Sequence, residues 1–103
     1  MKGTEKQIKW ATEIQNNIIK TFEAVIAEIS PYAETNQNVK ANIDGIRLRM
    51  DLLTDDNVCA GDIIDLFKDI RFSGDCKEDF GCVSAVYRVR VPMTATAKTL
   101  LAR

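Results

Sequence analysis

Seven aspartates crowd the middle of this chain: Asp55, Asp56, Asp62, Asp65, Asp69, Asp75 and Asp79. Adjacent carboxylates such as Asp55-Asp56 have the chemistry for general acid–base work or for holding Mg²⁺. A solvated loop that caps the next helix is the plainer reading of that pair, and the preferred one. Histidine is absent from all 103 residues. No Ser–His or Cys–His nucleophile pair and no imidazole base can therefore be assembled. Cys59, Cys76 and Cys82 are odd in number and lack CxxC spacing, so they form neither a disulfide framework nor an ordinary zinc site. They are expected to be free thiols, buried or half-buried, behaving as small hydrophobes. The five glycines are scattered, with no phosphate-cradling loop. These residue types predict no catalytic residue, no metal and no cofactor, and they point to a protein that works by binding.

The charges suggest what it binds. Residues 51–79 hold nine acids against Lys68, Arg71 and Lys77, a net of −6, while residues 80–103 hold four bases and no acid. Asp62, Asp65 and Asp69 are spaced three and four apart, which on a helix places them on one side, away from Ile63 and Ile70. Carboxylates held on a rigid helix imitate the phosphates of nucleic acid and can dock on a basic groove. An ordinary solvated face is the plainer alternative. At the basic end, Arg88 and Arg90 beside Tyr87 suit phosphate contact and base stacking. Arg47 and Arg49 would join them only if both segments were paired strands. Internal pairing of these arginines with residues 51–79 is the preferred reading. Trp10, the only tryptophan, either packs on a neighbouring helix, which is preferred, or anchors a partner.

Helices must position these groups. Thr4 and Gln7 form a capping box, and apolar residues recur at Ile8, Ala11, Ile14, Ile18, Phe22, Val25 and Ile29 until Ser30-Pro31 stops the helix. Its length is about 40 Å at 1.5 Å per residue. Val39, Ile43, Ile46, Met50 and Leu53 make a second helical stripe. However, Ile46, Leu48, Met50 and Leu52 also alternate like a strand, and Gly45 weakens a helix interior. A third helix is predicted from about Ala60 to Phe72, stopped by Ser73-Gly74. A fourth begins at Asp75 with Cys76, Phe80, Val83 and Tyr87 inward. A strand over 83–91 is its rival, because Val83, Ala85, Tyr87, Val89 and Val91 alternate. Residues 94–103 read as a last short helix carrying Leu100 and Leu101.

The run Gly3-Thr4-Glu5-Lys6-Gln7-Ile8-Lys9-Trp10-Ala11, with Ile14 after it, resembles the N-terminal motif of small bacterial and phage proteins. In these, a Gly-Ser/Thr-Glu-Lys-Gln-Ile-x-Trp-Ala segment opens a long helix. Such relatives often carry a second, tryptophan-containing segment, which only Ile43-Asp44 and Arg47 echo here. The resemblance implies cargo of a phage or mobile element with a host-takeover or anti-defence role, including anti-CRISPR inhibition of a Cas9-type RNA-guided nuclease.

The combined expectation is one domain over 1–103, mainly α, a small bundle of four to five helices around a long N-terminal helix. The alternative is α+β, with strands near 46–53 and 83–91. The predicted core is Ile14, Ile18, Phe22, Val25, Ile43, Ile46, Met50, Ile63, Phe67, Ile70, Phe80 and Val83. With no long apolar run and no signal-peptide core, a cytoplasmic location is expected. The expected function is stoichiometric, non-enzymatic binding of a basic, nucleic-acid-handling host protein through Asp55, Asp56, Asp62, Asp65, Asp69, Asp75 and Asp79. A nucleic-acid-binding accessory protein using Arg47, Arg49, Arg88 and Arg90 is the alternative.

Overall fold

The computed structural model describes residues 1–93 and Leu100. Four α-helices form among them: α1 (Glu5–Ile29), α2 (Gln37–Leu53), α3 (Ala60–Phe67) and α4 (Cys76–Val89). The fold is a small all-α bundle. Both segments that could have been strands are helical, so the α+β alternative is not adopted. The short helix expected over 94–103 lies outside the described residues, apart from Leu100, which is helical and fully buried.

Local chemistry starts the helices. The Thr4 hydroxyl accepts from the Gln7 amide at 3.2 Å, and the Gln7 side chain accepts from the Thr4 amide at 3.1 Å. That reciprocal pair satisfies two donors that a helix start leaves orphaned. Asn36 caps α2 by accepting from Asn38 and Val39. Asp75 caps α4 by accepting from Lys77 and Glu78. Pro31 sits in a short 3-10 turn, Ser30–Tyr32, that ends α1.

The helix α1 is the spine, and α2, α3 and α4 each pack against it. At 1.5 Å per residue its 25 residues run about 38 Å, most of the 45 Å long axis of the molecule. Phe22 lies at the centre of an aromatic cluster, 5.9 Å edge-on from Phe80 and 6.3 Å from Tyr87, which in turn lies 5.7 Å from Phe67. Each such pair contributes roughly 0.5–1.5 kcal/mol beyond simple burial. Eight of the twelve predicted core residues are buried, and Val25, Met50, Ile70 and Phe80 are half-buried against them.

Three features differ from expectation. First, α3 stops at Phe67 rather than Phe72. The Arg90 guanidinium donates to the main-chain carbonyls of Asp65 at 2.8 Å and Leu66 at 3.1 Å, satisfying acceptors that a longer helix would have used itself. Second, residues 1–3 run alongside the loop before α3. The Lys2 amide donates to the Val58 carbonyl at 2.8 Å, and the Lys2 carbonyl accepts from Ala60 at 2.7 Å. Third, Trp10 is 51% exposed instead of packing on a neighbour.

The clip at residues 1–3 explains Gly3. Its φ is +154°, and a Cβ there would lie 2.9 Å from the Ala60 Cβ. A side chain at this position collides with the start of α3.

Candidate functional site

The seven aspartates do not form one surface. Asp79 is buried at 3% exposure, where its carboxylate accepts from the Ser73 amide, the Ser73 hydroxyl and the Gly74 amide at 2.9–3.1 Å. The Ser73 amide, followed by the Gly74 amide, holds this carboxyl below its ordinary range against the opposing effect of burial. Asp79 is therefore a staple for the loop before α4, and it is not available to a partner. Asp75 is committed to the α4 cap. Asp55 accepts from the Asn57 amide at 2.8 Å and shapes the loop after α2. Asp62, half-buried in the first turn of α3, is engaged within the fold.

That leaves Asp56, Asp65 and Asp69. All three are exposed, and among the described residues no lysine or arginine pairs with them. Asp69 lies in the turn beyond α3, so the predicted alignment of Asp62, Asp65 and Asp69 along one helix is lost. The cause is the early stop at Phe67. These acids still ride on a pinned element. The Lys2 carbonyl holds the first turn of α3, and Arg90 holds its last.

The arginines are divided as well. With both segments helical, no sheet brings Arg47, Arg49, Arg88 and Arg90 together. The Arg49 guanidinium lies 4.9 Å from the centroid of the Tyr87 ring, a cation–π contact. Arg90 meets the acidic segment through its main-chain carbonyls, not through carboxylates. Arg47 and Arg88 remain exposed.

The cysteines are free: Cys59 and Cys76 are half-buried, while Cys82 is exposed against expectation. The Cys76 thiol donates to Glu28 at 3.3 Å, and Glu28 also pairs with Lys77 at 3.3 Å. The thiol and then Lys77 hold the Glu28 carboxyl below its ordinary range. That same hydrogen bond pushes the Cys76 thiol above its own range. A thiol kept protonated in this way is a poor nucleophile, so this network clamps α1 to α4.

Two openings flank α1. One, of about 220 Å³, is lined by Asn17, Lys20, Thr21, Gly74, Cys76 and Asp79. The other, of about 420 Å³, lies between Val25 and Ile29 of α1, Gly45 and Arg49 of α2, and Phe80 of α4. Sequence reasoning missed this groove, because its walls come from three helices. Among the described residues no group of three or more Cys, Asp or Glu could hold a metal ion, and no helix is long and apolar enough to cross a membrane. Comparison with protein-family models, curated proteins and solved structures finds no match to this chain.

Proposed function

We propose that this chain is a non-enzymatic binding protein whose acidic α3 side docks on a basic, nucleic-acid-handling host protein. One observation carries the reading: Asp56, Asp65 and Asp69 are exposed and have no basic partner among the described residues, on and beside a helix pinned at both ends. Carboxylates fixed on a rigid element present a preorganised anionic surface, which steers association with a positive groove. The resemblance of residues 3–14 to phage and mobile-element proteins makes an RNA-guided defence nuclease of the Cas9 type the sharpest candidate. The nucleic-acid-binding alternative is weaker, since Arg49 and Arg90 are committed internally.

The test is inhibition of DNA cleavage by guide-loaded nuclease, with binding measured in parallel. The wild type should bind and inhibit. Asp56→Lys, Asp65→Lys and Asp69→Lys together should abolish both, since like-charge contacts at an interface cost up to several kcal/mol in order of magnitude. Exposed substitutions of this kind usually alter folding by less than about 0.5 kcal/mol. Arg47→Glu with Arg88→Glu should leave inhibition intact. A triple variant that inhibits like the wild type would remove the acidic surface from the mechanism. A gel shift of DNA by the protein alone, lost as salt rises, would support the alternative.

A further inference from the structure

The helix α2 carries two apolar stripes. The inner one, Val39, Ile43, Ile46, Met50 and Leu53, faces the core, all five being buried or half-buried. The outer one runs Ala41, Gly45, Leu48 and Leu52, at the four-three-four spacing of a helix–helix seam. Ala41 and Gly45 are exposed, Leu48 is 45% exposed, and Leu52 is half-buried. Among the described residues, no contact accounts for Gly45. Its φ is not in the left-handed region, and an added Cβ would meet nothing within 4 Å. A glycine inside a helix weakens it, and here it leaves room on the outer stripe of α2 for a side chain of a neighbouring molecule.

The charges beside this stripe identify that neighbour. Lys40, Asp44, Arg47 and Asp51 form a parallel row with alternating sign, all exposed and none in an ion pair among the described residues. Such a row is its own complement when reversed. If α2 lies antiparallel on α2 of a second copy, with Gly45 level with Leu48, then Ala41 falls opposite Leu52. Small residues then face large ones at every step. In the same alignment, within about 3 Å along the axis, Asp44 meets Arg47 and Lys40 meets Asp51. Only an antiparallel pair brings this flank onto itself, because a parallel pair would set it against the flank bearing Asn42 and Arg49. Gly45 also forms part of the wall of the 420 Å³ groove, which gives Leu48 of the second copy room to seat.

We infer that α2 is a self-association surface on which two copies pair antiparallel about a two-fold axis. It is separate from the acidic surface of α3 and requires no part of that reading. A seam along one helix of 17 residues is smaller than a standard interface, so the dimer forms reversibly, at micromolar concentrations or above.

Sedimentation equilibrium from micromolar to sub-millimolar protein tests this. The wild type should rise toward twice the monomer mass. Leu48→Glu and, separately, Gly45→Leu should stay monomeric, with helical circular dichroism retained under dilute conditions and, for Gly45→Leu, unfolding no easier than in the wild type. Asp44→Lys should raise the dissociation constant at least about tenfold through repulsion from Arg47. Adding Arg47→Glu to it should restore association, since the two-fold pairing is re-formed with its signs exchanged. A wild type that stays monomeric throughout would overturn the proposal. So would a dimer unaffected by Leu48→Glu, or a double reversal that fails to restore pairing.

Discussion

The side-chain amide of Gln15 donates to the main-chain carbonyl of Leu53 at 2.7 Å, joining α1 to the end of α2 across 38 residues of sequence. Both residues are buried. The Leu53 carbonyl is one of the acceptors that a helix end leaves without an intrahelical partner, and Gln15 supplies the missing donor. Gln15→Leu fits the apolar surroundings but strands that carbonyl. It should therefore destabilise the protein by about 1–3 kcal/mol. Urea unfolding measures the loss, and a change under about 0.5 kcal/mol would mean that the bond contributes little.

Gly3→Ala should cost about 1–3 kcal/mol, the usual penalty for forcing a methyl group into a filled site. The added Cβ would lie 2.9 Å from the Ala60 Cβ and 3.1 Å from Gln7 Oε1, the acceptor of the Thr4 amide in the capping box. Faster hydrogen exchange at the Ala60 amide, which donates to Lys2, should accompany the loss. Ala60→Gly in the same chain should recover part of it. Strict additivity of the two substitutions would argue against the contact.

Tyr87 presents the opposite case. Its ring is packed against Phe22 and Phe67 at 1% exposure, while its hydroxyl is buried without a hydrogen-bond partner among the described residues. Burial also pushes the phenol well above its ordinary pKa range, with Arg49 opposing. Tyr87→Phe removes an unpaired polar group and keeps both the ring and the contact with Arg49. Thermal unfolding should show it neutral or stabilised by up to about 1 kcal/mol. Tyr87→Leu should lower the melting temperature through lost packing.

The Asp79 staple predicts acid sensitivity. Its folded pKa lies below the unfolded value of about 3.9, because the Ser73 and Gly74 amides favour the charged form. A depressed pKa means that the unfolded state takes up the proton first, so this contribution is complete above pH 4 or so. It is lost as pH falls through the folded pKa. Asp79→Asn should lower the melting temperature at pH 7 and flatten its fall between about pH 4 and 2. An unchanged acid limb in Asp79→Asn would place the acid sensitivity elsewhere.

Much of the helical framework was legible in the sequence. Thr4 with Gln7, Pro31 and Asp75 act on backbone groups within a few residues, so the bounds of α1 and the start of α4 follow from short-range chemistry. The inner stripe of α2 was legible for the same reason. The apparent strand alternation of Ile46, Leu48, Met50 and Leu52 has a structural origin: it samples two opposite faces of one helix. Ile46 and Met50 point inward, while Leu48 lies on the outer stripe.

The candidate site was less legible. By itself the sequence determined where the negative charge is concentrated and that histidine chemistry is excluded. Tertiary structure decided which acids are free to act. Asp79 turned inward because the loop before α4 folds back onto its carboxylate. Asp69 left the helix because Arg90, more than twenty residues away, took the carbonyls at the end of α3. Gly3 acquired its role only when residues 1–3 met Ala60. Caps and stripes depend on neighbours within one or two helical turns and can be read along the chain. Burial of a carboxylate, the end of a short helix and the opening between α1, α2 and α4 depend on groups that only packing around α1 brings together.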